Sequence, residues 1–412
     1  MINTQISHLR ALTAALIGAG LWAVLACSPG AHPTPGPSSV TLRLVTDGLT
    51  NQTQPLQRAI DSCGTAGGGT LLIPAGKYLI SPISLRSRVT LQLASGATLL
   101  ASTVAADYSG KLTNLINGDS LTDVSLTGAG TIDGNGAIWW QRYIDSGKTL
   151  TRPRLIYITR SANLTVDGLT LVNSPSFHLV PSQCQNVTIQ NLTITAPADS
   201  PNTDGIDPAN CNHVIIQNCT IDNGDDNIAI KGGRSSGQIV QPCQDVQISN
   251  CRFLHGHGLS VGSETSSGVS NVQVSNCTFS GTTNGIRIKS QSGLGGLIQN
   301  LTYRQITMTD VENPLIIDLA YSLNSNNGFP NDIPAVSDLT IDQLMATGAK
   351  NAGSLAGLTN SLLQNLTLSN LQISAQTGLL LQNARNVTMS SYRIQVGSGQ
   401  SVITQNTTGT GF

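Results

Sequence analysis

Charge and aromatic rings are scarce in this chain, at 10% and 4% of its 412 residues. The 21 Lys and Arg nearly balance the 22 Asp and Glu, leaving a formal net charge of −1. The clustered cationic excess that neutralises phosphates is missing, which excludes nucleic acid as a partner. After Leu25 no apolar run approaches the ~20 residues needed to span a bilayer, and no late segment resembles a membrane barrel. No Cys-x-x-Cys pair occurs, which removes the commonest thiolate metal sites. What is abundant is glycine, 42 residues, with Asn, Thr and Ser crowded around it. That composition suits many short strands and turns better than long helices.

The N-terminus reads as an export signal. Met1 to Arg10 carries positive charge, Ala11 to Leu25 is apolar, and Ala26-Cys27 offers small residues near a cleavage point. Residues 1–26 are therefore expected to be a signal peptide, 27–39 a Pro/Ser-rich linker and 40–412 a single large domain. Secretion is the expectation. Val24-Leu25-Ala26-Cys27 also loosely resembles a bacterial lipobox, in which Cys27 would carry lipid, although Leu25 departs from the usual small residue.

The body of the chain repeats. His213-Val-Ile-Ile-Gln-Asn-Cys-Thr-Ile221, Asp245-Val-Gln-Ile-Ser-Asn-Cys-Arg-Phe253 and Asn271-Val-Gln-Val-Ser-Asn-Cys-Thr-Phe279 are near-copies. Others begin at Asp123, Asn163 and Asn186 and, less cleanly, at Asn300, Asp338, Asn365 and Asn386. Each copy is too small to bury its own apolar face, so the copies must stack as a solenoid of about ten coils. Period-two alternation within each copy places one set of side chains inside the cylinder and the other outside. Gln54 to Cys63 reads as a short amphipathic helix, with Leu56 and Ile60 on one face, that covers the open N-terminal end. Cys219, Cys251 and Cys277 share one slot, after Asn218, Asn250 and Asn276, and read as small buried residues beneath an asparagine ladder. Cys211 is left open to a bridge with a nearby cysteine.

Polar clusters interrupt the repeats. Asn202-Thr-Asp-Gly205, Gly224-Asp-Asp-Asn227, Gly256-His-Gly258 and Arg287-Ile-Lys289 follow one another at intervals of 22 (Asp204 to Asp226), 31 (to His257) and 30 (to Arg287) residues, with Tyr321 a further 34 on. If each interval is one coil, neighbouring clusters lie ~4.8 Å apart on one face. Each cluster alone has a plain explanation: a turn, a calcium-ligand loop, a structural histidine, solvated cations. Together they place three carboxylates beside an imidazole and two cations. Carboxyls so close disfavour simultaneous ionisation, which keeps a proton donor near neutral pH. Acid-catalysed glycoside cleavage needs one protonated carboxyl for the leaving oxygen and another carboxylate across the ring to activate water. Arg287 and Lys289, two apart on a strand, point the same way and suit a substrate bearing its own carboxylate.

In this order and spacing the four motifs resemble those of the polygalacturonases, the pectin-cleaving glycoside hydrolases of family twenty-eight. Gly134-Asn-Gly-Ala-Ile-Trp-Trp140, Asn173-Ser-Pro-Ser-Phe-His178 and Ile317-Asp-Leu-Ala-Tyr321 resemble further stretches of the family, and the likeness runs from about Thr46 until it weakens after Tyr321. The resemblance implies a right-handed parallel β-helix, an all-β solenoid, that hydrolyses α-1,4-galacturonan in demethylated pectin with inversion. It implies Asp225 as general acid, Asp204 and Asp226 as the groups that position and deprotonate water, and His257 as the group that sustains the acid. It implies Arg287 and Lys289 as the clamp on the galacturonate carboxylate, and Tyr321 as a sugar contact. Neither a metal nor a cofactor is implied, and a monomer is expected. Two positions depart from the pattern. Asn227 stands where many members have a cysteine, which leaves Cys243 without that partner, and Gly293-Leu-Gly-Gly296 lacks an arginine common in that loop. Endo action is the expectation. The competing readings are an exo-acting or rhamnogalacturonan hydrolase, a calcium-dependent lyase, and a non-catalytic adhesin or sugar-binding solenoid.

Overall fold

Asn, Asp and His residues that open the repeats sit where the backbone turns a corner. Asp123, Asn163, Asn186, His213, Asp245, Asn271, Asn300, Asp338, Asn365 and Asn386 all adopt left-handed φ angles, between +55° and +58°. Asn and Asp tolerate this conformation better than other residues with a Cβ. Their side chains stack from coil to coil: Asn186 Nδ2 donates to Asn163 Oδ1 at 3.0 Å, and Asn271 Nδ2 donates to Asp245 Oδ1 at 2.9 Å. A second corner does the same, with Asn276 Nδ2 donating to Asn250 Oδ1 at 2.7 Å.

These corners fold the chain into three stacks of parallel strands around one interior. The computed structural model describes residues 39–322, 329 and 331–412, and residues 37–412 make one compact unit. The first stack pairs, for example, Val187 with Val214, Val214 with Val246, and Val246 with Val272. The second pairs Ile194 with Ile221, and Ile221 with Phe253. The third carries Ile156, Leu179, Ile206, Ile228, Leu259, Ile286 and Leu315 in successive coils. All seven are buried. At ~1.5–3 kcal/mol per buried aliphatic side chain, such rows hold the coils in register, because a slip of one residue would turn every one of them outward. The result is a right-handed parallel β-helix, as the crossover rule for parallel strands requires.

The expected cap is present as helix α1 (Thr53–Thr65), with Leu56 and Ile60 fully buried. Strand pairing begins at Ser39, which pairs with Thr70, and the rest of the expected 27–39 linker lies outside the described residues. The signal peptide and Cys27 lie outside the described residues. A second helix, α2 (Ala137–Asp145), was not anticipated; it starts right after the Gly134-Asn-Gly136 turn and buries Trp139. Cys219, Cys251 and Cys277 are buried in one column, as expected. The bridge left open for Cys211 does not form: its sulfur accepts the Cys184 N–H at 3.4 Å, and both thiols are free. Cys243 is likewise buried and unbridged.

Candidate active site

The acids do not sit on the strands of the third stack. They sit in the turn before it. Ile206, Ile228 and Leu259 are in register, so Asp204, Asp226 and His257, each two residues earlier, fall in one row. The expected interval therefore holds for these three. It does not hold for the cations, because Ser260 pairs with Arg287 and Gly262 with Lys289. Arg287 lies three positions further along its coil than His257, and both cations reach back from the strand Asn284–Lys289 toward the acids.

Close backbone packing builds the acidic turns. A Cβ on Gly224 would lie 2.2 Å from the Ser200 carbonyl oxygen, so only glycine lets the chain bend there and present both Asp225 and Asp226. Asn223 Nδ2 ties the two turns together by donating to the Thr203 oxygen at 2.8 Å and the Asp226 oxygen at 3.0 Å. Asn227, where a cysteine was the family expectation, is a fully buried pin: it donates to His255 O (2.8 Å) and Asn223 Oδ1 (2.9 Å) and accepts from Gly258 N (3.0 Å). It thereby fixes the Gly256-His-Gly258 turn. Gly256 has φ +115°, and a Cβ there would strike Asp225 O at 2.5 Å.

Each acid meets a different environment. Asp226 is buried and receives Lys289 Nζ at 2.6 Å, Ser260 Oγ at 2.8 Å and Arg287 Nη1 at 3.5 Å. Asp225 is partly exposed; its Oδ1 lies 3.0 Å from His257 Nδ1 and accepts the Asp226 N–H at 2.9 Å, and its Oδ2 faces Asn202 Nδ2 at 3.4 Å. Burial alone would raise the Asp225 carboxyl, but the His257 hydrogen bond and charge and the nearby Lys289 outweigh it and hold it below the ordinary carboxylate range. Asp204 is the opposite case. Burial, with Asp207 and Asp225 close by, pushes it well above that range, and its Oδ1 has no hydrogen-bond partner among the described residues. The row thus separates the pKa values of carboxyls that the sequence alone does not distinguish.

Tyr321 completes the cationic side, its ring centroid 5.3 Å from the Arg287 guanidinium and 5.5 Å from Lys289 Nζ. All seven residues singled out in the sequence therefore stand in one region. Sequence reasoning gave no role to three others. Asp207 is buried with neither oxygen hydrogen-bonded among the described residues, and burial pushes it up to about 7 despite Lys231 at 3.5 Å. Lys231 also faces Glu264 at 3.6 Å. His178 is fully buried, lowered by that burial to about 4, and supports the Asp204 carbonyl at 3.1 Å from Nδ1. Asp207 and Lys231 were legible in principle as polar residues interrupting apolar strand positions, Gly-Ile-Asp and Ile-Ala-Ile-Lys.

The ligand atoms of Asp225, Asp226 and His257 lie within 4.8 Å of one another, a spacing that a divalent ion would accept. Lys289, Arg287 and Ser260 already saturate Asp226, however, so an ion there would face two fixed cations. The residues present fit a metal poorly.

The model of the glycosyl hydrolases family 28 matches residues 63–408. An endo-polygalacturonase of Pectobacterium carotovorum subsp. carotovorum is 33% identical over 374 residues, which cover 84% of this chain and 90% of that one. The solved polygalacturonase from Erwinia carotovora ssp. carotovora superposes with a TM-score of 0.70 at 30% identity, covering 90% of this chain and 97% of that one. An exopolygalacturonase from Thermotoga maritima superposes with a TM-score of 0.76 at 25% identity, over 90% of this chain and 94% of that one. Fold, acidic row and family model agree: the chain belongs to glycosyl hydrolase family 28.

Proposed function

We propose that this protein hydrolyses α-1,4 bonds between galacturonate units of demethylated pectin, within the chain, and that it is exported to meet that substrate. The carrying observation is the convergence of Asp204, Asp225 and Asp226 beside Arg287 and Lys289. Three acids supply a proton donor and a base; two cations flanked by Tyr321 supply a clamp for the uronate carboxylate. Asp225 donates its proton to the leaving glycosidic oxygen while a water attacks the anomeric carbon and passes its proton to Asp204, with Asp226 orienting it. The bond to the leaving sugar breaks, the bond to the water oxygen forms, and no other reactant is needed.

In the free site burial favours the proton on Asp204, while His257 and Lys289 hold Asp225 low, so the cycle requires Asp225 to gain its proton when substrate binds. A raised Asp204 and a lowered Asp225 describe the state just after turnover, with the proton on the base and the acid spent. Substrate resets it. A galacturonate carboxylate beside Lys289 would offset part of the positive field that keeps Asp225 low and so raise its affinity for a proton. His257 accompanies Asp225 throughout and orients it.

Inversion is the preferred stereochemistry, because the oxygens of Asp226 are already engaged. Asp225 and Asp226 stand closer than the ~6.5–9.5 Å usual for inverting pairs, so retention through a glycosyl-enzyme is the second reading. Proton NMR of the first-formed anomer decides between them: inversion gives the β-anomer, and early α-anomer refutes it. Viscosity followed beside reducing ends tests endo action, which lowers viscosity long before many ends appear. A slow fall in viscosity, proportional to the ends formed, would instead mark an exo enzyme. Lipid attachment at Cys27 belongs to the same reading of export and is tested by the mass of the mature N-terminal peptide.

A further inference from the structure

The row of the acids continues toward the N-terminus. Ile156 pairs with Leu179, and Leu179 with Ile206. Phe177 and Arg154, each two residues earlier, therefore stand in the same row as Asp204, one and two coils upstream of it respectively. The backbone confirms the alignment: Leu155 N donates to Phe177 O at 3.0 Å, and His178 N donates to Asp204 O at 2.8 Å.

Beside this upstream part of the row lies a cavity of about 740 Å³, whose lining includes Tyr108, Trp139, Arg152, Arg154, Phe177 and Asn202. Among the described residues no carboxylate lines it. Its two arginines are not equivalent. Arg152 is spent: it donates to Pro201 O (2.7 Å), Pro175 O (2.9 Å) and Asn202 Oδ1 (2.6 Å). Asn202 in turn faces Asp225 Oδ2, so this end of the cavity touches the acid. The Arg154 guanidinium instead lies over the rings of Tyr157, at 4.7 Å, and Phe177, at 5.5 Å, with no acidic partner among the described residues. A half-buried cation stacked on aromatic rings, its donor edge uncommitted, is a preformed fork for a carboxylate. Trp139 also keeps its indole N–H without an acceptor among the described residues.

We infer that the Arg154 and Phe177 groove is a separate subsite for a galacturonate unit upstream of the cut bond, with Arg154 gripping its carboxylate and the aromatic rings supporting the sugar. This rests on the hydrolase reading above and adds a second uronate contact remote from Arg287 and Lys289. At ~4.8 Å per coil, Arg154 is ~10 Å from the level of Asp204, too far to hold the sugar being cleaved. It holds one further along the chain. The subsite thus favours long acidic chains and fixes which bond of an oligomer meets Asp225.

The test compares wild type, Arg154→Gln and Arg154→Lys on oligogalacturonates of increasing length, with melting temperature as the check on folding. In the wild type kcat/KM should climb with length. Arg154→Gln should lose ~10-fold or more of that climb, mainly in KM, as expected for a lost charge-assisted contact, and should shift the preferred bond in an end-labelled oligomer. Arg154→Lys should fall between the two. A folded Arg154→Gln enzyme with the wild-type length profile and cleavage pattern would overturn the subsite while leaving the hydrolase intact. A wild type that cleaves no oligogalacturonate would instead overturn the hydrolase reading itself.

Discussion

Replacing Asp225 by Asn keeps the shape of the side chain while removing its negative charge and its capacity to donate a proton. The remaining carbonyl oxygen still accepts the Asp226 N–H and the His257 contact now made by Oδ1, at 2.9 and 3.0 Å. Only the Asn202 contact, already 3.4 Å long, is lost, since the amide nitrogen that replaces Oδ2 cannot accept from Asn202 Nδ2. The variant should therefore fold normally. What it loses is general acid catalysis, typically ~10²–10⁴-fold, or about 3–5 kcal/mol of barrier at 1.36 kcal/mol per tenfold. Two substrates separate that loss from a generally damaged site. On polygalacturonate, where the leaving sugar oxygen must be protonated, kcat should fall by that factor. On an aryl galacturonide with a nitrophenolate leaving group, which departs as an anion, much of the loss should vanish. Retention of more than about a tenth of the activity on polygalacturonate would refute Asp225 as the acid. Equal losses on both substrates would refute the role as well, and would point to a positional one.

Arg287→Ala should raise KM on polygalacturonate by ~10-fold or more with a smaller change in kcat, since a hydrogen bond to a charged group is worth ~1.5–3 kcal/mol; unchanged affinity and rate would contradict the clamp. Asp207 gives a prediction about stability and pH. Its carboxyl is pushed up to about 7 in the fold, against ~3.9 in an unfolded chain, so the folded state holds the extra proton between those values. Its contribution to stability is present below pH ~4 and is lost as pH rises toward 7, at ~1.4 kcal/mol per pH unit. Asp207→Asn should flatten the fall of unfolding free energy across that window by one group's share, measured by urea titration at several pH values, and an unaltered slope would show that Asp207 does not hold the proton.

The stacking of coils was legible because it rests on local chemistry. A left-handed corner needs Asn, Asp or a similar residue, and a narrow interior needs alternating aliphatics, so Asn163, Asn186, Asn271 and their kin announced both at once. The C-terminal coils were harder to read because other residues take over the second corner, Gln305 and Gln343 adopting the same left-handed φ as Asn276. Distances along the sequence placed Asp204, Asp226 and His257 correctly, since the turns between them absorb a whole coil each. They misplaced Arg287 by three positions, because register is set by the pairing of Ser260 with Arg287 and not by the length of the loop between. The opposite protonation tendencies of Asp204 and Asp225 could not be read at all: they arise from burial and from His257, which only the folded coils bring together. Helix α2 follows a Gly-Asn-Gly turn that has no helical capping residue, which is why its nine residues passed as part of a coil.

Incubation of the purified protein with polygalacturonate in excess chelator, with reducing ends and ultraviolet absorbance recorded together, tests the central claim. Hydrolysis by carboxyl groups alone predicts reducing ends at full rate with no rise in absorbance. Absorbing, unsaturated ends that chelator abolishes, or no new ends in its presence or absence, would contradict it.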